Sequence, residues 1–525
     1  MSVTEQRAGI VRYPPEQFGA IREPAPAGEV RLSVAASAFA SAATVMQEAG
    51  ARFVSMFAAD TPERSLVAAF ALRGELVLVR APAGGDRRAS VSPVADGDTR
   101  ARAPGEEIAF PGEATAFESI GAWWPAARWA ERELAELHGL RFRGAEPAAP
   151  LTAPDADSLE DRQVSGLDAF SIPYGPVRSG IFEAVQFHIE TGGEDVARIH
   201  TRPFFKRRGM ETRFAGLAPD LGAHVAERIA GIAGCAYAAA FAQAVERALG
   251  VQPPPRAQRW RAVYCELERM ACHLDVIAKQ AETTALYVGQ ARFQILKEQV
   301  MRLRVGLTGN RFARGMIVPG GVRGEGMMDL GELLAALDSI ERQLHRDRRM
   351  FLGTASMTDR LIGTGRLPRA LVEEYGAVGP LARGSGLSTD ARHERPYGNY
   401  VRVGPQVVSE RDGDAMARVR VRFGELSESL RILRQAIDHL RRRDGQLQSA
   451  LPAGGEGAAC GWVEAPQGEL LMWVEVADGT IGRVHVASPS LRNWALFDHA
   501  FPKDVLTDFA FIEHSFGLTP AGADR

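Results

Sequence analysis

Cysteine is scarce in this chain: four in 525 residues, Cys235, Cys265, Cys272 and Cys460, with no Cys-x-x-Cys pair among them. A thiolate-held metal needs several such ligands converging, and only Cys265 and Cys272 share a helix face, so the pattern argues for isolated buried thiols in a reducing compartment. Long apolar runs are missing too. Nothing approaches the ~20 residues that cross a bilayer, and the opening MSVTEQRAGIVRYPPEQ has no signal-peptide core, which points to the cytoplasm. Neither charge dominates: 62 basic and 65 acidic residues leave a net charge of -3, giving no reason to expect nucleic acid as a partner. The Gly-rich stretch GAVGPLARGSGLSTDARHERPY at 376–397 does not follow a strand as a dinucleotide loop would. With no flavin motif or nucleophile constellation either, an independent soluble dehydrogenase is a poor reading.

What is present is an ordinary globular composition, 46% hydrophobic and 24% charged, in a chain too long for one compact core. Near the N-terminus, a helix is expected from Ala38 to Ala49, then a strand in RFVSMFAAD. SLVAAFALR and ELVLVRAP follow as a hairpin turning at Gly74-Glu75. Ser119 to Gly144 reads as an amphipathic helix with Trp129, Leu134 and Leu137 on one side and Gly139 at its end. AEPAAPLTAPDADSLED then has the composition of a linker. Farther on, IFEAVQFHIE and GEDVARIHTR alternate as a hairpin around Gly192-Gly193.

The most distinctive stretch runs from Phe204 to Gly250. Between Ala223 and Ala244 it is mostly Ala and Gly, so a helix there offers neighbours a smooth surface for close approach. Arg207, Arg208, Glu211 and Arg213 precede it, and Glu227 and Arg228 lie inside it. The segment fits either a well-packed bundle helix with a charged entrance or the wall of a buried polar site. After Pro253-Pro254-Pro255 a long helix starts near Arg256 and places Glu266, Arg269 and His273 at i, i+3 and i+7, on one face. That stripe is a buried polar relay or a solvated face with an ion pair. Further helices are expected over ARFQILKEQVMRLRVGLTGNRFARG, within 328–360 and over 413–445, and a hairpin around Asp478-Gly479.

Three motifs in this region, Arg-Gly-Met-Glu at 208–211, Glu-Arg-Ile-Ala-Gly-Ile-Ala-Gly at 227–234 and Ala-Val-Glu-Arg-Ala-Leu-Gly at 244–250, resemble a known family. They are similar to the large subunit of membrane-bound nickel–iron hydrogenases of the formate hydrogenlyase type and to the related quinone-site subunit of respiratory complex I. Glu266-x-x-Arg269 with His273-Leu274, the Gly320-Gly321-Val322 turn and the Glu464–Glu469 turn extend the resemblance, and it favours the relay reading of the stripe. Trp129, Glu131, Arg132 and Glu133 resemble the signature of the complex I peripheral-arm protein that is often fused to the quinone-site subunit. The resemblance implies an α+β chain. A small α/β domain, similar to that peripheral-arm protein, covers 1–145 and a linker 146–169. A mainly helical bundle with peripheral β-hairpins, similar to the hydrogenase large subunit and its quinone-site relative, covers 170–525.

The chemistry of both relatives is incomplete here. Ala230 and Ala233 stand where the hydrogenases carry two thiolates, and Thr519 and Gly522 fall at the positions of two more near the C-terminus. A nickel–iron centre is therefore not expected. Gly231 falls where complex I carries a quinone-binding tyrosine, and Arg178 about where it carries a histidine; an arginine does not donate a proton near pH 7. The closing Asp524-Arg525 follows the complex I pattern, and no maturation tail is expected.

What remains is a charged pocket expected under the hairpin, with Glu211, Arg228, Glu266, Arg269 and His273 as the candidate relay and Arg178 and Gly231 at quinone-site positions. By resemblance the partners are an iron–sulfur small subunit, which holds the cluster, and a membrane arm of antiporter-like and anchor subunits. The chain would sit peripherally on the cytoplasmic side of the inner (plasma) membrane, as a coupling element for which quinone is a conceivable ligand. The competing reading is a non-catalytic scaffold; a ligand-sized cavity favours the former and a packed interior the latter.

Overall fold

The computed structural model describes residues 20–60, 64–72, 74–83, 116–145, 151, 170–178, 184–442, 445–501 and 504–525. It divides into two compact units, Met1–Trp123 with Ala130–Glu146, and Trp124–Trp129 with Pro147–Arg525. The expected linker lies outside the described residues except for Leu151.

The first unit is built on a five-stranded sheet of β1 (Ile21–Glu23), β2 (Glu29–Ser33), β3 (Arg52–Ala59), β4 (Ser65–Leu72) and β5 (Glu75–Pro82), in the order β1-β2-β5-β4-β3. β3, β4 and β5 form an antiparallel meander, with Leu72 opposite Glu75 across a turn in which Gly74 takes φ +83. This is the hairpin read from the sequence; the parallel pairing of β2 with β5 had no local signal. Helix α1 (Phe39–Glu48) buries Phe39, Ala42, Ala43 and Met46, spaced three and four apart. Helix α2 (Ala127–His138) lies between the short strands β6 (Ala116–Glu118) and β7 (Arg141–Arg143), which pair in parallel. Its Glu131, part of the tetrad singled out above, accepts from Ile120 N at 2.7 Å and Ser119 Oγ at 2.7 Å. The signature glutamate thus fixes the backbone before its own helix.

The second unit opens with an antiparallel sheet of β8 (Phe170–Tyr174), β9 (Gln186–Thr191) and β10 (Val196–Arg202), in which β9–β10 is the expected hairpin. Its helices are α3 (Pro219–Ala226), α4 (Gly234–Ala248), α5 (Pro255–Thr283), α6 (Tyr287–Thr308) and α7 (Leu330–Leu352), with strands β11 (Ile317–Val318) and β12 (Gly321–Val322) before α7. Short helices α8 (Ala355–Leu361), α9 (Arg369–Glu374), α10 (Gly379–Gly384), α11 (Ala391–Glu394) and α12 (Tyr400–Val403) lead to the long α13 (Ala415–Leu440). Strands β13 (Gly457–Ala465), β14 (Gly468–Ala477) and β15 (Thr480–Ala487) form an antiparallel sheet, and α14 (Pro489–Trp494), α15 (Phe509–Phe516) and α16 (Pro520–Asp524) close the chain.

Sequence explains these boundaries. Pro255 starts α5, Gly309 in the left-handed region ends α6, and Asp329 and Asp414 cap α7 and α13 through backbone N–H groups at 2.7 Å. The small residues of α4 have a specific use. A side chain at Gly461 of β13 would meet Ala240 O at 2.0 Å, so strand and helix touch backbone to backbone. The sheet after α13 also has one strand more than the hairpin at Asp478-Gly479, because Pro466-Gln467 turns β13 into β14.

The single helix expected between Ala223 and Ala244 is broken. α3 and α4 meet at 113°, with a 3₁₀ turn at Gly231–Ala233 between them. A Cβ at Gly234 would lie 3.1 Å from Glu227 O, so the bend packs the chain closely against itself at a position where glycine is favoured. By length and composition no single helix among the described residues crosses a membrane. The bent pair passes such a test only jointly, and α4 is almost wholly buried in the core of its unit.

Candidate functional site

The bend creates a cavity. Gly231 and Ile232 form one edge, α5 supplies Glu268, Ala271, Cys272, Asp275, Val276 and Lys279, α6 supplies Lys297, Met301 and Arg304, and the C-terminal segment supplies Glu513, His514 and residues 517–520. Its volume is about 440 Å³, the size of a small-molecule site. This corrects the sequence expectation of a pocket under the hairpin lined by Glu211, Arg228 and Glu266; none of the three borders it.

Its polar groups are held in a definite way. Glu268 accepts from Cys235 N at 2.8 Å and Ala236 N at 3.0 Å, the free donors at the start of α4, and lies 3.5 Å from Arg304 Nη2. Burial nevertheless raises its pKa above the ordinary carboxyl value. Asp275 lies between two ammonium groups, Lys297 Nζ at 2.7 Å and Lys279 Nζ at 3.1 Å. Glu513 is taken by Arg178, whose Nη2 lies 2.5 Å from Oε1 and Nη1 3.0 Å from Oε2, with Tyr174 and Phe187 against the guanidinium. Arg178, expected at a quinone-site position, is thus a wall brace whose partner faces the cavity.

The far wall is anchored from α13. Arg418 donates to Ser515 Oγ at 2.9 Å and to the carbonyls of Gly365 and Gly413, and Arg422 donates to Phe516 O at 2.9 Å. No carboxylate accepts from either among the described residues, and burial lowers their pKa values to about 9 and about 10. Gly517 beside them takes φ +64, a conformation that favours glycine.

The other predicted residues fall into two separate places. Glu211 Oε1 accepts from Val486 N at 2.8 Å and meets Arg525 Nε at 3.1 Å and His485 Nδ1 at 3.3 Å. Burial opposes its ionisation, but the charge of Arg525, with His485 and the Val486 N–H, holds its pKa well below the usual carboxyl range. Arg208, nearby in sequence, donates to the carbonyls of Ile229 and Ala521 and so ties the bend to α16. Arg228 is half exposed, bonded to His224 O, with its guanidinium 3.9 Å from Glu227. Glu227 is the buried member of that pair. It accepts from Gly315 N at 2.7 Å, its Oε2 lacks a hydrogen-bond partner, and burial raises its pKa to about 7.

Glu266, Arg269 and His273 do share a face of α5, and that face is buried. Glu266 accepts from Ser429 Oγ at 2.6 Å, Tyr400 OH at 2.7 Å and Arg392 Nη1 at 3.0 Å, with Arg269 Nε at 3.3 Å. His273 Nε2 lies 2.8 Å from Glu425 Oε2, and burial lowers its pKa to about 4, leaving it neutral at pH 7. Arg383 then joins Glu425 at 2.8 Å to Glu464 at 2.8 Å. The stripe is therefore one side of a fully buried ion network spanning α5, α10, α11, α13 and β13, not a solvated face. Among the described residues no hydrogen bond or ion pair joins Glu211, Arg228 and Glu266, and each is held by different partners.

Sequence reasoning missed Glu268 and Arg304. Glu268 is two residues from Glu266 and points to the opposite side of α5, toward the start of α4; its signal was the Cys235–Ala236 helix start, readable only once the bend was known.

The donor set does not fit a nickel–iron centre. Ala230 and Ala233 are fully buried apolar positions, Thr519 and Gly522 bring no thiolate, and no group of three or more His, Cys, Asp or Glu among the described residues could hold a metal ion. The nearby thiol, Cys235, lies 3.4 Å from Arg304 Nη2 and points to Phe312 O; burial, with Glu268 beside it, raises its pKa so that it stays protonated.

Comparisons with known proteins agree with the motif reading. Residues 281–453 match the family described as respiratory-chain NADH dehydrogenase, 49 Kd subunit, and residues 102–157 match the 30 Kd subunit family. The chain is 26% identical to formate hydrogenlyase subunit 5 of Escherichia coli, across 78% of this chain and 77% of that protein. It is 30% identical to membrane-bound hydrogenase subunit alpha of Pyrococcus furiosus, across 60% of this chain and 77% of that protein. It is also 30% identical to an NADH-quinone oxidoreductase subunit of Anaeromyxobacter sp., across 58% and 83%. Among solved structures it resembles a chain of the membrane-bound sulfane sulfur reductase, an archaeal respiratory membrane complex. The TM-score is 0.64 at 24% identity, covering 68% of this chain and 99% of that one, a likeness of fold.

Proposed function

The chain belongs to the family that unites the 49 Kd subunit of respiratory-chain NADH dehydrogenase with the large subunits of membrane-bound hydrogenases, and on that premise we propose that it is the large peripheral subunit of a membrane-associated electron-transfer assembly. In this reading it joins an iron–sulfur small subunit to a membrane arm on the cytoplasmic face and has no nickel–iron centre of its own. One observation carries the reading. Beside Gly231, at the quinone-tyrosine position, and Thr519, at one of the four thiolate positions, there is an open cavity of about 440 Å³ and not a packed core. A scaffold that had only to hold neighbours has no use for a hollow of ligand size.

The cavity and the ion network behind it divide the work. The cavity supplies a place for a small ligand beside Glu268 and Arg304. The network around Glu266 and Glu425 ties α5, α13 and β13 together, because removing one member of a buried pair strands the charge of the other. Arg178 and Gly231 supply none of the contacts a quinone headgroup receives from tyrosine and histidine, so any such ligand is held by other groups here.

Isolation of the assembly through a tag on this chain tests the proposal. The expected product contains a small subunit with cluster-binding cysteines and polytopic membrane subunits in fixed ratio; recovery of the chain alone from gently solubilised membranes would overturn it.

A further inference from the structure

Arg304 is the anomaly in the cavity wall. Its side chain is 3% exposed, yet its guanidinium is poorly served: Nε has no partner, Nη1 reaches only the Met301 thioether at 4.0 Å, and Nη2 has Cys235 Sγ at 3.4 Å and Glu268 at 3.5 Å. Glu268, its one carboxylate neighbour, is already committed to the Cys235 and Ala236 N–H groups. A buried guanidinium carries five donors and is costly to leave unmatched, so the missing acceptors are expected from the cavity that Arg304 borders.

The remaining carboxylates of the lining are already paired. Asp275 is shared by Lys279 and Lys297, and Glu513 is neutralised by Arg178. The lining's three cations, Lys279, Lys297 and Arg304, are matched in number by Glu268, Asp275 and Glu513, and the unmet donors are those of Arg304. Between the Arg304 end and the lysines the walls are apolar: Ile232, Ala271, Val276, Met301, Phe312 and Trp494.

We propose that the cavity binds a small organic carboxylate, its anionic head on the Arg304 guanidinium and its apolar body against Ile232, Val276 and Trp494. This rests on the reading of the cavity as a ligand site. It adds the ligand's charge and polarity, which nothing in the resemblance supplies.

The test is calorimetric titration of the assembly, isolated through this chain, with naphthoate and its neutral isostere naphthamide. Naphthoate should bind at least tenfold more tightly than naphthamide, and Arg304→Gln should remove that preference while leaving the weak binding of naphthamide unchanged. Ile232→Trp, at the half-exposed edge of the cavity, should weaken both probes and serves as a second test should Arg304→Gln fail to fold. Equal affinity for the two probes, or naphthoate binding that survives both substitutions, overturns the proposal. If both probes fail while a neutral quinone binds and is displaced by Ile232→Trp, the carboxylate inference falls and the ligand-site reading stands.

Discussion

Replacing Glu425 with alanine is expected to destabilise the chain by about 3–5 kcal/mol, a large part of the stability of an ordinary domain. The reason is what the substitution leaves behind. Glu425 lies 2.8 Å from Arg383 and from His273 and 4.0 Å from Arg269, and all four side chains are essentially inaccessible to water. Burial works against its ionisation, but Arg383, His273 and Arg269 hold its pKa far below the ordinary value. Without it, two buried guanidinium groups lose a counter-charge they cannot recover from solvent. Glu425→Gln keeps an acceptor for His273 and should cost less. Urea unfolding of the purified chain followed by circular dichroism measures both. An unchanged midpoint for the alanine variant would mean that the network does not bear on folding.

The same reasoning applies to Glu266→Gln. Glu266 receives three donors and lies against Arg269, so an amide places an N–H₂ where only acceptors fit. Loss of activity in that variant would reflect a disturbed fold. A probe of function has to enter the cavity instead.

Ala271→Phe is such a probe, and it carries the second large expectation. Ala271 lies on the cavity wall contributed by α5, and the added ring has the open volume to occupy. Turnover of the isolated assembly should fall more than about tenfold, a change of at least ~1.4 kcal/mol in the barrier or in binding, while the thermal midpoint moves little. Turnover at the level of the unaltered assembly, with the ring in place, would assign the chain to the scaffold class.

How far the sequence carries is visible element by element. The β4–β5 hairpin, α5 and α13 were legible because alternation or helical spacing is a local property. The stripe Glu266, Arg269, His273 was legible as a stripe. Its burial was not, since the partners that decide it, Arg392 and Glu425, are 126 and 152 positions away. The bend at 227–233 was hidden because Ala and Gly are compatible with a continuous helix, and the contacts that accompany the turn, such as Gly234 against Glu227 O, exist only in the folded chain. The cavity followed that error. Glu211 and Arg228 flank the motif in sequence, but the turn carries Glu211 to Arg525 and Arg228 to the surface, and brings in Glu268 and Arg304 from α5 and α6. The family motifs pointed to the right region, and the geometry of the turn selected different side chains.

The proposed role requires a redox-enzyme framework that keeps its hollow without a nickel–iron centre. The most direct measurement is elemental analysis of the assembly isolated through this chain, with iron and nickel counted per copy. The expected result is several iron atoms, contributed by the small subunit and its clusters, and nickel at background. Nickel near one atom per chain would contradict it.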